Sequence, residues 1–444
     1  FLLVKCNITE PVIKPPPKPA IRDTLKISTV DKTYRSITVN VATTNNSAKS
    51  GTGKTGKDIK LIRKKESGLD TLVSKYSDAV LDTTITDDNN GKGLQLNTAY
   101  TYYAVRIDSS GAVKDSSNFI TVQTLGITSN NYTWKEITIG DDGYESELDD
   151  VWGTDENNVY AVGTIVLNDT VYGIIHWNGS EWSPVLKRGG NQSIFGFSKN
   201  DIWVAGGGVY HFDGNKWEQK DSKSVNGQAV VLDQVLFDNA DYTSIWGTSS
   251  NNLYFGNLRG RIVHWDGSKA SLMDVHASEA FRDIYGINEN TIYAVAGTVE
   301  GYRPGELYSL ENGQWILIKK ASSSPTEDEL IPPLNSVWLQ NNYELYIANG
   351  GGAARRRNNS WEQIDVGFYC ERLRGYASNN IFVTGDFGNV THFNGKEWYH
   401  YSELERDSGV LKGIMVFDKT VFIVGYRDQQ SFGFKGLILK GTLN

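Results

Sequence analysis

Polar and apolar residues alternate along much of the chain with the period of a β-strand. Ser36-Ile37-Thr38-Val39-Asn40-Val41 places its aliphatic side chains on one face, and Thr101-Tyr102-Tyr103-Ala104-Val105-Arg106-Ile107 follows the same rule more loosely. Runs of Ala, Leu and Glu at helical spacing are absent, and the short apolar segments end in Gly, Asn, Asp or Ser. The pattern predicts an all-β fold. The 45 glycines, with 12 Trp, 23 Tyr and 16 Phe, add tight turns and aromatic cross-strand packing.

Tryptophan divides the chain. None occurs from Ile21 to about Leu125, whereas all 12 lie between Trp134 and Trp398. A boundary near residue 128 follows, separating a small sandwich over 21–127 from a second domain over 128–444, with a tail and Pro-rich linker over 1–20. Pro11–Pro19 holds five of the ten prolines and is expected to be an extended spacer.

The second domain repeats. Ile245-Trp246-Gly247, then Asn252-Leu253-Tyr254-Phe255-Gly256, then His264-Trp265-Asp266-Gly267 defines one unit. Equivalent positions fall at 152, 195, 246, 285, 338, 374 and 412, close to the period of four-stranded propeller blades. The spacing predicts a seven-bladed β-propeller. The last unit lacks a Trp-bearing fourth strand, while Tyr132–Thr138 precedes the first unit as a strand without a partner. The N-terminal strand is therefore expected to close the last blade. First-to-second and third-to-fourth links are short throughout. Insertions fall between second and third strands (164–172, 298–304, 426–434) and between fourth and first (218–242, 318–334, 399–410). In an up-and-down blade both kinds of connection emerge on one face, which makes that face the binding candidate.

Two resemblances add to this reading. Leu94 to Tyr100, the strand through Val105 and the terminal Val122-Gln123-Thr124-Leu125 resemble a fibronectin type III domain, and the resemblance implies that Tyr100 bonds back to the backbone at a strand corner. The repeats resemble the kelch-like or Asp-box-like propellers of bacterial surface (lipo)proteins. The turn Asp213-Gly214-Asn215-Lys216-Trp217 is one residue tighter than an Asp-box turn, so no sialidase activity carries over. Phe1-Leu2-Leu3-Val4-Lys5-Cys6 resembles the end of a lipoprotein signal, which implies lipidation at Cys6; a plain thiol and an intermolecular disulfide are the other readings of that residue.

Charge narrows the function. With 44 Lys+Arg against 52 Asp+Glu, the net −8 disfavours nucleic acid, and no run of 18 apolar residues spans a membrane. Gly51-Thr52-Gly53-Lys54-Thr55 lacks the spacing of a phosphate loop and is expected to be a hairpin loop. His176, His211, His264 and His392 recur two residues before the Asn/Asp-Gly turn and are expected to be structural, not metal ligands. His276 and His400 lie outside the repeat pattern, without an acid partner nearby in sequence. The acidic clusters at 87–91 and 141–150 are expected to be solvated turns, Arg355-Arg356-Arg357 a solvated edge, and Cys370 a buried small hydrophobe.

These features predict an extracellular, surface-anchored binding or assembly protein with a protein or glycan partner and no cofactor. The binding residues expected on the long loops are Tyr302, Arg303, Arg427, Asp428, Gln429, Glu403 and Asp407. The alternative is a carbohydrate-active hydrolase or lyase on the same face, to which Glu403, Glu405, Asp407, Asp428 and Tyr302 would contribute.

Overall fold

The computed structural model describes residues 24–44, 58–65, 68–77, 82–225, 228–298, 304–322, 329–342, 344–357, 360–429 and 433–444. Cys6, the proline segment, the loop at 51–55, Tyr302 and Arg303 lie outside them. The chain divides into two compact units, Phe1–Thr124 and Leu125–Asn444.

The first unit pairs Thr24–Lys32, Ile37–Thr44 and Asp82–Asp87 in one sheet, and Gly68–Ser77, Asp58–Lys65, Ala99–Ile107 and Val113–Ser116 in a second; Ile120–Gln123 also pairs with Ala99–Ile107. The alternation at Ile37, Val39 and Val41 turns these side chains into one core with Leu61, Tyr102 and Ala104. The Tyr100 hydroxyl accepts a 3.0 Å bond from the Gln95 backbone N–H. Asp87 is no solvated turn: it is buried, takes two 2.9 Å bonds from Arg63 and accepts a 2.8 Å bond from the Tyr102 hydroxyl. A carboxylate at the end of a core strand stays buried only with such partners.

The second unit is also all-β. Among the described residues it carries seven four-stranded antiparallel sheets. The first six are meanders in chain order. The seventh is built from Val410–Val416, Thr420–Asp428, Phe434–Leu443 and then Tyr132–Ile139, which pairs antiparallel with Phe434–Leu443 from Gly436↔Ile139 to Leu443↔Tyr132. The first strands are Glu147–Asp155, Asn191–Ser198, Tyr242–Ser249, Phe281–Asn288, Leu334–Leu339, Cys370–Ala377 and Val410–Val416. Each packs beside the first strand of the next sheet, and the seventh packs beside the first. This is the arrangement of a β-propeller.

Sandwiching explains the sequence pattern. A sheet covered on both faces needs apolar runs instead of alternation, and Asp201–Gly206, Asn252–Asn257 and Asn380–Gly385 are buried almost throughout. Contact between sheets also accounts for the recurring glycine. A Cβ on Gly196 would lie 2.6 Å from the Trp152 ring, and one on Gly375 would lie 2.8 Å from the Trp338 ring. The aromatic residue of one first strand thus lies where only hydrogen fits on the next.

The connections differ in kind. The insertion at 164–172 is not a loop: strands Asn158–Leu167 and Thr170–Trp177 extend through it to a two-residue turn, Asn168-Asp169, with both φ angles near +50°. The insertion at 218–242 folds into a hairpin of Ser222–Val225 and Gln228–Val231 followed by one helical turn, Gln234–Asp238, whose Leu236 N–H donates to the Asp233 carboxylate at 3.0 Å.

Candidate functional site

Every first strand carries a β-bulge. The register shifts place Asp149, Gln192, Thr243, Arg282, Asn335, Glu371 and Lys412 at the extra position. A bulge bends its strand and re-aims one side chain. All seven of these side chains line one cavity of about 360 Å³, with Glu147, Thr164, Gly190, Arg372, Val410 and Tyr426 completing the wall. Thr164 and Tyr426 stand in the halves of second strands that lead to the second-to-third links, and Gly190 in a fourth-to-first connection, so the cavity opens on the elaborated face.

Charges in the wall are paired. Lys412 Nζ lies 2.9 Å from Glu147 Oε2 and 2.8 Å from Asp149 Oδ1. Arg282 Nη2 lies 3.2 Å from Glu371 Oε2. Burial pushes the Asp149 carboxyl up to about 6 against the pull of Lys412. Burial opposes the Lys412 ammonium too, yet Asp149 and Glu147 hold it above the usual lysine range. Asn335 donates from its amide to the Tyr369 hydroxyl at 2.7 Å and the Cys370 carbonyl at 2.8 Å.

Beside this cavity a buried ion network joins first strands of several sheets. Arg374 of the sixth sheet makes two 2.8 Å bonds to Asp283 of the fourth and one of 2.9 Å to Ser336 of the fifth. Arg372 lies 3.4 Å from Asp283 and 3.5 Å from Asp150. Burial alone would raise the Asp283 pKa, but the two guanidiniums hold it below the ordinary carboxylate range. Asp149 and Asp150, expected in a solvated turn, thus sit on an axial strand.

The expected loop residues lie elsewhere. Arg427 and Arg406 both reach Glu136, at 2.9 and 2.8 Å, which ties the 426–434 and 399–410 connections to the outer strand Tyr132–Ile139. Asp428 is exposed, and Gln429 reaches the carbonyls of Tyr144 and Phe434 at 3.4 and 3.3 Å. Glu403, in the 3₁₀ turn Ser402–Leu404, and Asp407 are exposed. None of the five lines the cavity.

The histidines are explained by the repeat. His176, His211, His264 and His392 lie 2.7, 2.9, 2.7 and 3.1 Å from Asn158, Asp201, Asn252 and Asn380, each at the start of a second strand. They stack on Tyr160, Trp203, Tyr254 and Phe382. Arg355, opposite Tyr346, holds the same register, so the arginine run is not a solvated edge. Arg355 pairs with Glu362, Arg356 donates to the Tyr293 hydroxyl at 2.8 Å, and Arg357 pairs with Glu344. His400 does have an acid nearby in sequence: Nε2 lies 2.7 Å from Glu405, while Nδ1 lies 3.1 Å from the Thr391 hydroxyl. Thr391 is 2% exposed, closed to a substrate. Cys370 is buried, and burial raises its thiol pKa.

Sequence reasoning missed the channel mouth. The signal was present in the first six units, where one polar residue of changing type stands two positions before the aliphatic residue, as in Phe281-Arg282-Asp283-Ile284 and Leu334-Asn335-Ser336-Val337. In the seventh, position 412, expected to match Trp152, is the bulge residue itself, and the register gives that place to Met415.

No family model and no curated protein matches the chain. It is similar to solved structures at low identity. A structure of YCF48 bound to D1 peptide is 17% identical, covering 72% of this chain and 100% of that one, with a TM-score of 0.49. The WD40 β-propeller domain of Doa1 is 12% identical, covering 71% and 97%, with a TM-score of 0.48. The computationally designed Ika8 protein is 11% identical, covering 67% and 98%, with a TM-score of 0.42.

Proposed function

We propose that the seven sheets are the blades of one closed propeller over 128–444, and that a fibronectin type III-like domain over 21–127 precedes it. Its task is binding: the channel mouth and the long connections around it take a protein or glycan partner. The observation that carries this reading is the convergence of seven bulge side chains, one from each sheet, on a single polar cavity. Glu403, Asp407, Arg427, Asp428 and Gln429 of the long connections are proposed to contribute to this surface, and Tyr302 and Arg303 are carried by the sequence of their insertion alone. An extracellular location, with the chain held at a surface through a lipid on Cys6, rests on the apolar run before that cysteine and the prolines after it.

Probing peptide and glycan arrays with the chain and with Gln192→Trp tests the reading. Ligands retained by the first and lost by the second, at unchanged melting temperature, support it; ligands held equally by both contradict it. A carbohydrate-active hydrolase or lyase is favoured by one observation, the raised Asp149 carboxyl beside Glu147 at the cavity. Time-resolved product analysis of bound glycans distinguishes it from binding alone.

A further inference from the structure

We infer that the channel mouth takes a neutral sugar unit, one ring of a glycan seated among the bulge side chains. This deepens the binding reading and rests on it. The chemistry of the wall points there. Asp149, Gln192, Arg282, Asn335 and Glu371 all end in flat carboxylate, amide or guanidinium groups with two or more polar atoms. Such forked groups match the adjacent hydroxyls of a pyranose, which present paired donors and acceptors at hydrogen-bond spacing. The Gln192 amide has no side-chain partner among the described residues, so its full donor and acceptor capacity remains for a ligand.

Charge balance argues for neutrality. Glu147, Asp149 and Glu371 are matched by Arg282, Arg372 and Lys412, and each cation is already within ion-pair distance of a carboxylate. A ligand with a net charge would have to compete with one of these pairs and leave the displaced partner unpaired. A polyhydroxylated ring adds hydrogen bonds while leaving every pair intact. The pairs also hold the forks in place before binding, which lowers the ordering cost.

A peptide fits less well. Peptide anchors are large apolar or aromatic side chains that fill desolvated pockets, and here Val410 and Tyr426 are the main apolar contributors to the wall. Tyr426 offers a ring edge or face to the C–H surface of a sugar. The volume of about 360 Å³ accommodates one hexose with its bridging waters.

Titration calorimetry of the full chain with the methyl glycosides of glucose, galactose, mannose and N-acetylglucosamine, with glucuronate and with short peptides tests the inference. One neutral glycoside is expected to bind, at least tenfold more tightly than glucuronate. Gln192→Ala should weaken it several-fold, and Gln192→Trp should abolish it. Both variants are checked for unchanged melting, and the alanine serves if the tryptophan variant does not fold. Peptide binding that is lost in Gln192→Ala, without neutral glycoside binding, overturns the sugar assignment, and glucuronate binding so lost overturns its neutrality; either keeps the mouth as the binding site. Binding of any probe unaffected by both variants overturns the mouth itself. Absence of binding by all four glycosides also overturns the sugar assignment.

Discussion

Arg374 and Asp283 meet across the axis of the second unit through two 2.8 Å bonds, although a whole sheet separates them in the chain. Removing one member leaves the other charged and buried. Asp283→Ala also strips the acceptor of the Val337 N–H and a partner of Arg372, so it is expected to destabilise the unit by roughly 3–5 kcal/mol. Replacing Asp283 and Arg374 together by Leu and Met should recover most of that loss. Urea unfolding of the wild type and the two variants checks the difference.

Gly375→Ala tests the packing between sheets. A methyl group 2.8 Å from the Trp338 ring forces a shift of a buried aromatic, at a cost of about 1–3 kcal/mol. Gly207→Ala, where a Cβ meets nothing within 4 Å, is the control and should leave the melting temperature unchanged within a degree or two.

The pH dependence of stability should carry the mark of His392. Burial pushes its pKa down to about 3, whereas the unfolded chain has its histidines near 6.5. Between these values the unfolded state binds the proton and the folded state does not. The contribution is therefore present above pH 6.5 and lost as pH falls toward 3. Melting temperatures measured across this window should drop more steeply for the wild type than for His392→Gln.

Deleting Tyr132–Ile139 removes the outer strand of the seventh sheet and exposes the edge of Phe434–Leu443. The deletion is expected to lower the melting temperature of the whole second unit and to promote self-association, measured by calorimetry and light scattering. An unchanged transition would mean that the pairing of Gly436–Leu443 with this strand contributes little.

Much of this architecture was legible because repeat positions carry their own physics. Val151-Trp152-Gly153 and Ile245-Trp246-Gly247 record a first strand whose aromatic packs on a neighbour, and the Trp134 strand records a missing partner in the last unit. The site was less legible. Glu147, Asp149 and Asp150 are three acids in four residues, which from sequence alone resembles a solvated turn; only the bulge at Asp149 turns it to the axis. Arg427 stood out as an exposed arginine on an insertion, but its partner Glu136 is 291 residues away in the chain. His400 shows the same limit in miniature, since its acid lies five residues on, beyond a 3₁₀ turn that the pattern of polar residues does not announce.

Hydrogen exchange of the chain with and without its array-selected ligand tests the central claim most directly. The account predicts that protection appears at Thr164, at Gly190–Gln192 and at Val410–Lys412, which line the channel mouth. Protection confined to the short turns at 213–216, 266–269 and 394–397, on the opposite face, would contradict it.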